Sequence, residues 1–170
     1  MSKEFDRRKG LTLMEMVVTM AIAAVVLTIT LTIYNMWWKS YNNLSEKAVI
    51  EREMTSAMEI IVKELRLAKD VQNENSNLED LELESGEAAF GIEEKRIGYK
   101  VNDRISYLTD PVVDTLLFTT EENNKNFLEI RIANSRYGIV LTSKVKLLNV
   151  VEISEGSSSA ISFLGADKFF

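Results

Sequence analysis

Residues 7 to 18 read RRKGLTLMEMVV, a basic cluster, a glycine, then an apolar segment that carries a glutamate, Glu15, just inside it. Downstream of that glutamate the chain has no charged residue from Met16 to Trp38. A helix over about 23 uncharged residues is roughly 35 Å long, enough to cross a hydrocarbon core of about 30 Å with some tilt. The stretch therefore reads as the start of a single membrane span.

The charges flanking the span orient it. Lys3, Arg7, Arg8 and Lys9 lie on its N-terminal side, which the positive-inside rule assigns to the cytoplasm, so residues 40 to 170 are expected outside. Trp37, Trp38, Lys39 and Tyr41 have the amphipathic chemistry of a membrane interface and mark the expected exit. A secretory signal peptide would carry its small cleavage-site residues after the apolar region; here Gly10 comes before it.

The formal net charge is −6, and the first ten residues hold four cations and two acids, so the rest of the chain stands at −8. An acidic ectodomain is a poor generic binder of nucleic acid, and no nucleic-acid partner is expected. The chain has no cysteine and no histidine. A disulfide framework, a thiolate metal site and a cysteine nucleophile are thereby excluded, together with the commonest general base. Without a phosphate-binding glycine loop or a paired catalytic motif, no enzyme, cofactor or metal site is expected; Ser157 to Ser159 have no evident base.

From Leu11 to about Val71 the chain contains neither glycine nor proline and reads as one long helix. Its second half sets Leu44, Ala48, Ile50, Met54, Ala57, Met58, Ile61, Leu65 and Ala68 at spacings of mostly three and four among charged residues, an apolar stripe on a solvated helix. The β-branched run Thr28, Ile29, Thr30, Thr32, Ile33 weakens helix propensity, but in lipid the backbone has no water to turn to and helix should prevail. DVQNENSN, residues 70 to 77, is expected to end the helix.

Short alternating runs follow: LEDLELE (78 to 84), AAFGIE (88 to 93), RIGYKV (96 to 101), RISYLT (104 to 109), DTLLFTT (114 to 120), NFLEIRIA (126 to 133), GIVLTSKVKLLNVVEI (138 to 153) and AISFLG (160 to 165). They predict an antiparallel sheet whose apolar face the helix stripe covers. Asn102-Asp103 suits a type I′ hairpin turn, Asp110-Pro111 and EENNKN (121 to 126) are breaks, and SEGSSS (154 to 159) is a flexible link. The acids Glu79, Asp80, Glu82, Glu84 and Glu87 alternate with leucines like a solvated strand face and lack the spacing of a calcium loop. The expected class is α+β, divided into a leader (1–10), a membrane helix (11–38), its amphipathic continuation (39–71) and a β-rich part (72–170).

Lys9-Gly10-Leu11-Thr12-Leu13-Met14-Glu15 followed by an apolar helix resembles the processing site of type IV prepilins and of the pseudopilins of type II secretion and competence systems. The resemblance implies cleavage after Gly10 by a prepilin peptidase, N-methylation of Leu11, and an assembly role for Glu15, the fifth mature residue. It implies the pilin fold, an extended helix wrapped by sheet, and as partners other major and minor pilins, an inner-membrane assembly platform and, before assembly, the bilayer. Leu11 stands where phenylalanine is usual and Met14 where a branched aliphatic is usual. Cleavage would create an α-ammonium at the depth of the Glu15 carboxylate, and in the family's filaments that glutamate neutralises a neighbour's N-terminus.

Major pilins of the family often carry a proline in the membrane half of the helix, whereas the single proline here is Pro111, which favours a minor subunit. RIGYKVNDRISYLTD and the late LLNVVEISE with ISFLG are similar to segments of the J-type minor pseudopilins and related pilus minor pilins, which help initiate filament assembly. Glu15 argues against the tip-capping K-type subunits, which lack it. Two alternatives stand beside this reading. An adhesin or DNA-uptake pilin would need a basic patch, for which Lys125, Arg131, Arg136, Lys144 and Lys146 are the candidates. In a single-span membrane protein with an extracytoplasmic binding domain, Gly10 would be a mere joint and Glu15 an incidental charge.

Overall fold

The computed structural model describes residues 12–74, 76–102, 104–121, 124–150, 153 and 156–165. The chain divides into two compact units, Met1–Glu46 and Lys47–Phe170. The first helix, α1, covers Leu13–Leu67 and continues unbroken through the threonine-rich stretch. Those threonines are absorbed by the helix itself: the hydroxyls of Thr28, Thr30 and Thr32 donate to the carbonyls of Ala24, Val26 and Thr28, each at 2.8 Å. Their polar atoms are thus satisfied without water.

The helix stops at Leu67, short of the expected end near Val71. Its last carbonyls are taken by another segment: the Leu148 N–H donates to Arg66 O at 3.4 Å and Asn149 Nδ2 to Leu67 O at 3.1 Å. Ala68 N–H turns back to Leu65 O at 3.2 Å, and Val71 is claimed by a strand instead. The stripe also begins later than its pattern implied. Met54, Ala57, Met58, Ile61 and Leu65 are buried and Ile50 partly so, while Leu44 and Ala48 are exposed.

Beyond the helix the described residues form nine strands, β1 Asp70–Glu74, β2 Glu87–Glu93, β3 Arg96–Val101, β4 Arg104–Tyr107, β5 Thr115–Glu121, β6 Asn124–Asn134, β7 Ile139–Lys146, β8 Ser157–Ser158 and β9 Ala160–Leu164. Every pairing is antiparallel, but the strands make two sheets: five strands in the order β1-β9-β2-β3-β4, and four in the order β7-β6-β5-β8. The segment expected as a flexible serine-rich link includes β8, which pairs Ser157 with Thr119 and Ser158 with Phe118 before β9 joins the other sheet. Where the sheets meet, Ser158 Oγ donates to Asn73 Oδ1 at 3.1 Å and Asn73 Nδ2 to Thr120 Oγ1 at 3.4 Å. The run 138–153 is likewise not one strand: β7 ends at Lys146, and Leu147, Val150 and Ile153 enter the core from irregular chain.

The expected Asn102 hairpin is present, with Asn102 at φ 46 between the paired Val101 and Arg104. A second two-residue turn, Glu94-Lys95 at φ 45 and 64, joins β2 to β3. Both turns have the positive φ that matches strand twist, and the second uses residues that carry no such signal in the sequence.

One core joins the helix stripe to the inner faces of both sheets, with Phe90, Ile97, Tyr99, Ile161 and Phe163 from the first and Leu116, Phe118, Leu128, Ile130, Ile132 and Val145 from the second. Phe90 stacks on Tyr99 at 4.8 Å and on Phe163 at 5.3 Å, a row of rings across β3, β2 and β9. The outer face of the five-stranded sheet is covered as well. LEDLELE, expected as a strand, is a strap of turn and irregular chain whose Leu78 and Leu81 are buried against Ala89 and Ala160. Its leucines pack on the face of that sheet, and its backbone does not extend either edge, where β1 and β4 stand. The strap is held by Lys100, itself buried, whose Nζ donates to Glu79 O at 2.8 Å and Leu81 O at 2.7 Å.

Burial, with the nearby Glu64 carboxylate as a second cause, pushes the Tyr99 phenol up to about 12. A raised pKa favours the protonated form, so this contribution to stability is fully present below the ordinary phenol value of about 10 and is lost as pH rises toward 12. Tyr99→Phe is expected to move the alkaline unfolding midpoint of the full chain upward within that window. Urea titrations at fixed pH would measure it; an unchanged alkaline limb would refute the linkage.

Candidate assembly site at the helix N-terminus

The first turn of α1 carries the residue that the sequence singles out. Thr12 precedes the helix and Glu15 lies three residues on, and the two exchange hydrogen bonds. Glu15 N–H donates to Thr12 Oγ1 at 3.3 Å, while Glu15 Oε2 accepts from Thr12 N–H at 2.9 Å and from Thr12 Oγ1 at 3.1 Å. This is a capping box, in which a side-chain oxygen and a carboxylate satisfy helix-start N–H groups that have no partner within the helix. Met16 N–H to Thr12 O, at 3.1 Å, is the first helical bond, and the Thr19 hydroxyl returns to Glu15 O at 2.9 Å. The cap has a plain sequence signature, T-x-x-E, which the reading of Glu15 as a displaced membrane charge passed over.

A carboxylate at a helix N-terminus is also favoured by the positive end of the helix dipole. Two donors converge on Oε2, and none of the described residues donates to Oε1, which is open to a further donor. The site can thus hold one negative charge at the edge of an apolar helix and offer it to a cation.

Gly10 and Leu11, named for cleavage and methylation, and the basic residues Lys3, Arg7, Arg8 and Lys9 lie outside the described residues. Trp37, Trp38, Lys39 and Tyr41 are on α1 and exposed; Trp37 stacks on Tyr41 at 5.6 Å and Tyr34 on Trp38 at 6.3 Å. These pairs at i and i+4 form an aromatic band on the helix. The N-terminal part of α1 is long and apolar enough to cross a membrane, and none of its most apolar stretch is buried within the protein. Leucine, isoleucine and valine are exposed along that stretch.

A long N-terminal helix with an apolar first part, followed by antiparallel sheet, is an α+β layout of the type IV pilin kind. Residues 6–31 match the family model of the prokaryotic N-terminal methylation motif. The matched segment takes in Gly10, Leu11 and Glu15, and supports the pilin superfamily, a family of structural subunits. It implies processing by prepilin peptidase and assembly with other pilins, and with the apolar helix it fits a membrane-anchored, single-pass protein. No curated protein and no solved structure matches the chain.

Proposed function

We propose that the chain is a minor subunit of a type IV filament, a pilus or the pseudopilus of a type II secretion or competence system, and that it has a structural role without catalysis. In this reading the N-terminus with Lys3, Arg7, Arg8 and Lys9 is cytoplasmic, the peptidase cleaves after Gly10, and Leu11 is N-methylated. Trp37, Trp38, Lys39 and Tyr41 lie at the outer interface, and the sheets are extracytoplasmic. The observation that carries the reading is the match over residues 6–31, joined to a glutamate in the first turn of an uncovered apolar helix.

Glu15 then has successive partners. In the precursor its charge is compensated by the Thr12 cap, which lessens the cost of a carboxylate near lipid. After cleavage, its open oxygen accepts from the α-ammonium of a neighbouring subunit and fixes the axial register between stacked helices. The unbroken helix over Leu13–Leu67 favours a minor subunit; the similarity of RIGYKVNDRISYLTD and of LLNVVEISE with ISFLG to J-type segments favours that type, which acts in initiating or capping the filament together with other pilins and the assembly platform.

Co-expression with a prepilin peptidase is expected to shorten the protein by the leader that ends at Gly10 and to leave N-methyl-Leu11; an unshortened N-terminus in the mass spectrum would sink the reading. Glu15→Val is expected to be processed as before and to be lost from filaments; normal incorporation would refute its assembly role.

A second reading, as an adhesin or DNA-uptake pilin, draws on one observation. Arg131, Lys144 and Lys146 share one sheet face, although Glu129 lies among them and the chain beyond the leader stands at −8. Retention of duplex DNA at low salt, lost steeply as salt rises, would favour it.

A further inference from the structure

The Lys47–Phe170 unit carries two surfaces of opposite sign. In the four-stranded sheet, β6 and β7 set Phe127 opposite Lys146, Glu129 opposite Lys144, Arg131 opposite Thr142 and Ala133 opposite Val140. The intervening Leu128, Ile130 and Ile132 are buried, so these pairs make the outer face. Among the residues whose side chains are described, that face holds the cations Arg131, Lys144 and Lys146 and the carboxylate of Glu129, with Lys144 Nζ 3.6 Å from Glu129 and Lys146 Nζ 6.0 Å over the Phe127 ring. On β5 the described side chains of the same face are Thr115, Leu117 and Thr119, which are neutral.

The second surface is the strap. Residues 76–86 contain Glu79, Asp80, Glu82 and Glu84, all exposed, and no lysine or arginine. Because Leu78 and Leu81 are buried beneath and Lys100 grips the carbonyls of residues 79 and 81, the carboxylates stand on a fixed backbone. Burial, and then the carboxylates of Glu79, Glu94 and Asp80, push Glu93 beside the strap upward, as expected where negative charge is dense.

We propose that the basic outer face of the four-stranded sheet docks on the carboxylate strap of a second copy of this chain. The charge signs agree: cations on neighbouring strands meet carboxylates that stand together on the strap. The two surfaces differ, so the contact is heterologous and leaves one of each surface open on the pair. The proposal rests on the filament reading for its setting. DNA is the poorer occupant, since the acidic remainder of the chain repels a polyanion.

The absence of cysteine makes the test clean. Two differently tagged full-length copies, one bearing Thr142→Cys and the other Ser85→Cys, are treated in native membranes with a short bis-maleimide. A mixed cross-linked dimer is expected, weaker at high salt. Its yield is expected to fall about tenfold when the Thr142→Cys copy also carries Arg131→Glu and Lys146→Glu, since like charges then face each other, and to recover when the Ser85→Cys copy carries Glu82→Lys and Glu84→Lys. No mixed dimer, or one indifferent to both reversals, would overturn the contact, as would DNA retention abolished by R131E/K146E in the absence of a dimer. A chain still shortened after Gly10 but giving no dimer overturns the interface and leaves the filament reading standing. An unshortened chain with a charge-dependent dimer removes the filament reading and supports the contact.

Discussion

Ile61→Asp is expected to unfold the Lys47–Phe170 unit of the full chain. Ile61 is fully buried on the helix stripe, one turn from Ala57 and Leu65, and its neighbours in the core are hydrocarbon and aromatic rings. A carboxylate there either remains charged without a partner or is protonated at a cost, and it leaves part of the sec-butyl volume unfilled. The expected loss is about 4 kcal/mol or more, a large part of the roughly 5–15 kcal/mol that a domain has. Ile60→Asp is the control, because Ile60 lies next in sequence yet turns away and is 39% exposed; its loss is expected within about 1 kcal/mol. Urea unfolding in detergent compares them, and equal losses would refute the assignment of the buried face.

Gly98→Val is the second large effect, and its cause is of another kind. Gly98 and Gly91 are cross-strand partners on β3 and β2, and together they form a notch that receives Leu78 of the strap. A Cβ built on Gly98 would run into Leu78 Cδ2, and one on Gly91 would stand 3.2 Å from Leu78 Cδ1 and 3.3 Å from Leu78 Cβ. Leu78 is fully buried, so its side chain can give way only by displacing its neighbours.

Valine otherwise suits a strand, so its β propensity favours the substitution and any loss reports the clash. Overpacking of this kind costs about 1–3 kcal/mol, and the strap amides should lose protection in hydrogen exchange before the rest of the unit. Pairing Gly98→Val with Leu78→Ala is expected to cost less than the two losses added, because the second change makes room for the first. Strict additivity would show that the notch does not bind the leucine.

The two substitutions differ in how far each was legible beforehand. Ile61 sits in a helical repeat of apolar residues, a local pattern with one simple reading, and the structure buries it. Leu78 sits in LEDLELE, whose alternation is as good a strand pattern as that of RIGYKV, which does form β3. The difference lies in neighbours: β3 lies between β2 and β4 and pairs with both, while the strap lays its leucines on the outer face of the sheet. Alternation reports that one side of a segment is buried and does not report what lies on that side. The division into two sheets was hidden for the same reason, since a strand run carries no mark of which partner it will take.

The candidate site shows the opposite balance. Gly10, Leu11 and Glu15 could be named from the sequence because a peptidase reads local chain, and because a charge at the edge of an apolar run is conspicuous. The Thr12 cap is equally local, a T-x-x-E of four residues, but the same glutamate also carries the stronger signal of a charge at the edge of an apolar run. By contrast, the cluster of Arg131, Lys144 and Lys146 on one face depends on the register of β6 against β7, which no local pattern specifies.

The sequence by itself determined what depends on one contiguous stretch: the apolar span, the motif before it, the existence of an apolar stripe on the second half of the helix, and the antiparallel class of the strands. These follow from period, charge and the reach of a helix, all of them properties of near neighbours. Only the tertiary structure decided where the helix ends, how the strands divide into two sheets, that the strap covers the second face of one of them, and which charges share a surface. Each of those is a choice among partners distant in the chain. It is made by which pairing buries most apolar surface while leaving the fewest polar groups unsatisfied, a sum taken over the whole fold and absent from any one segment.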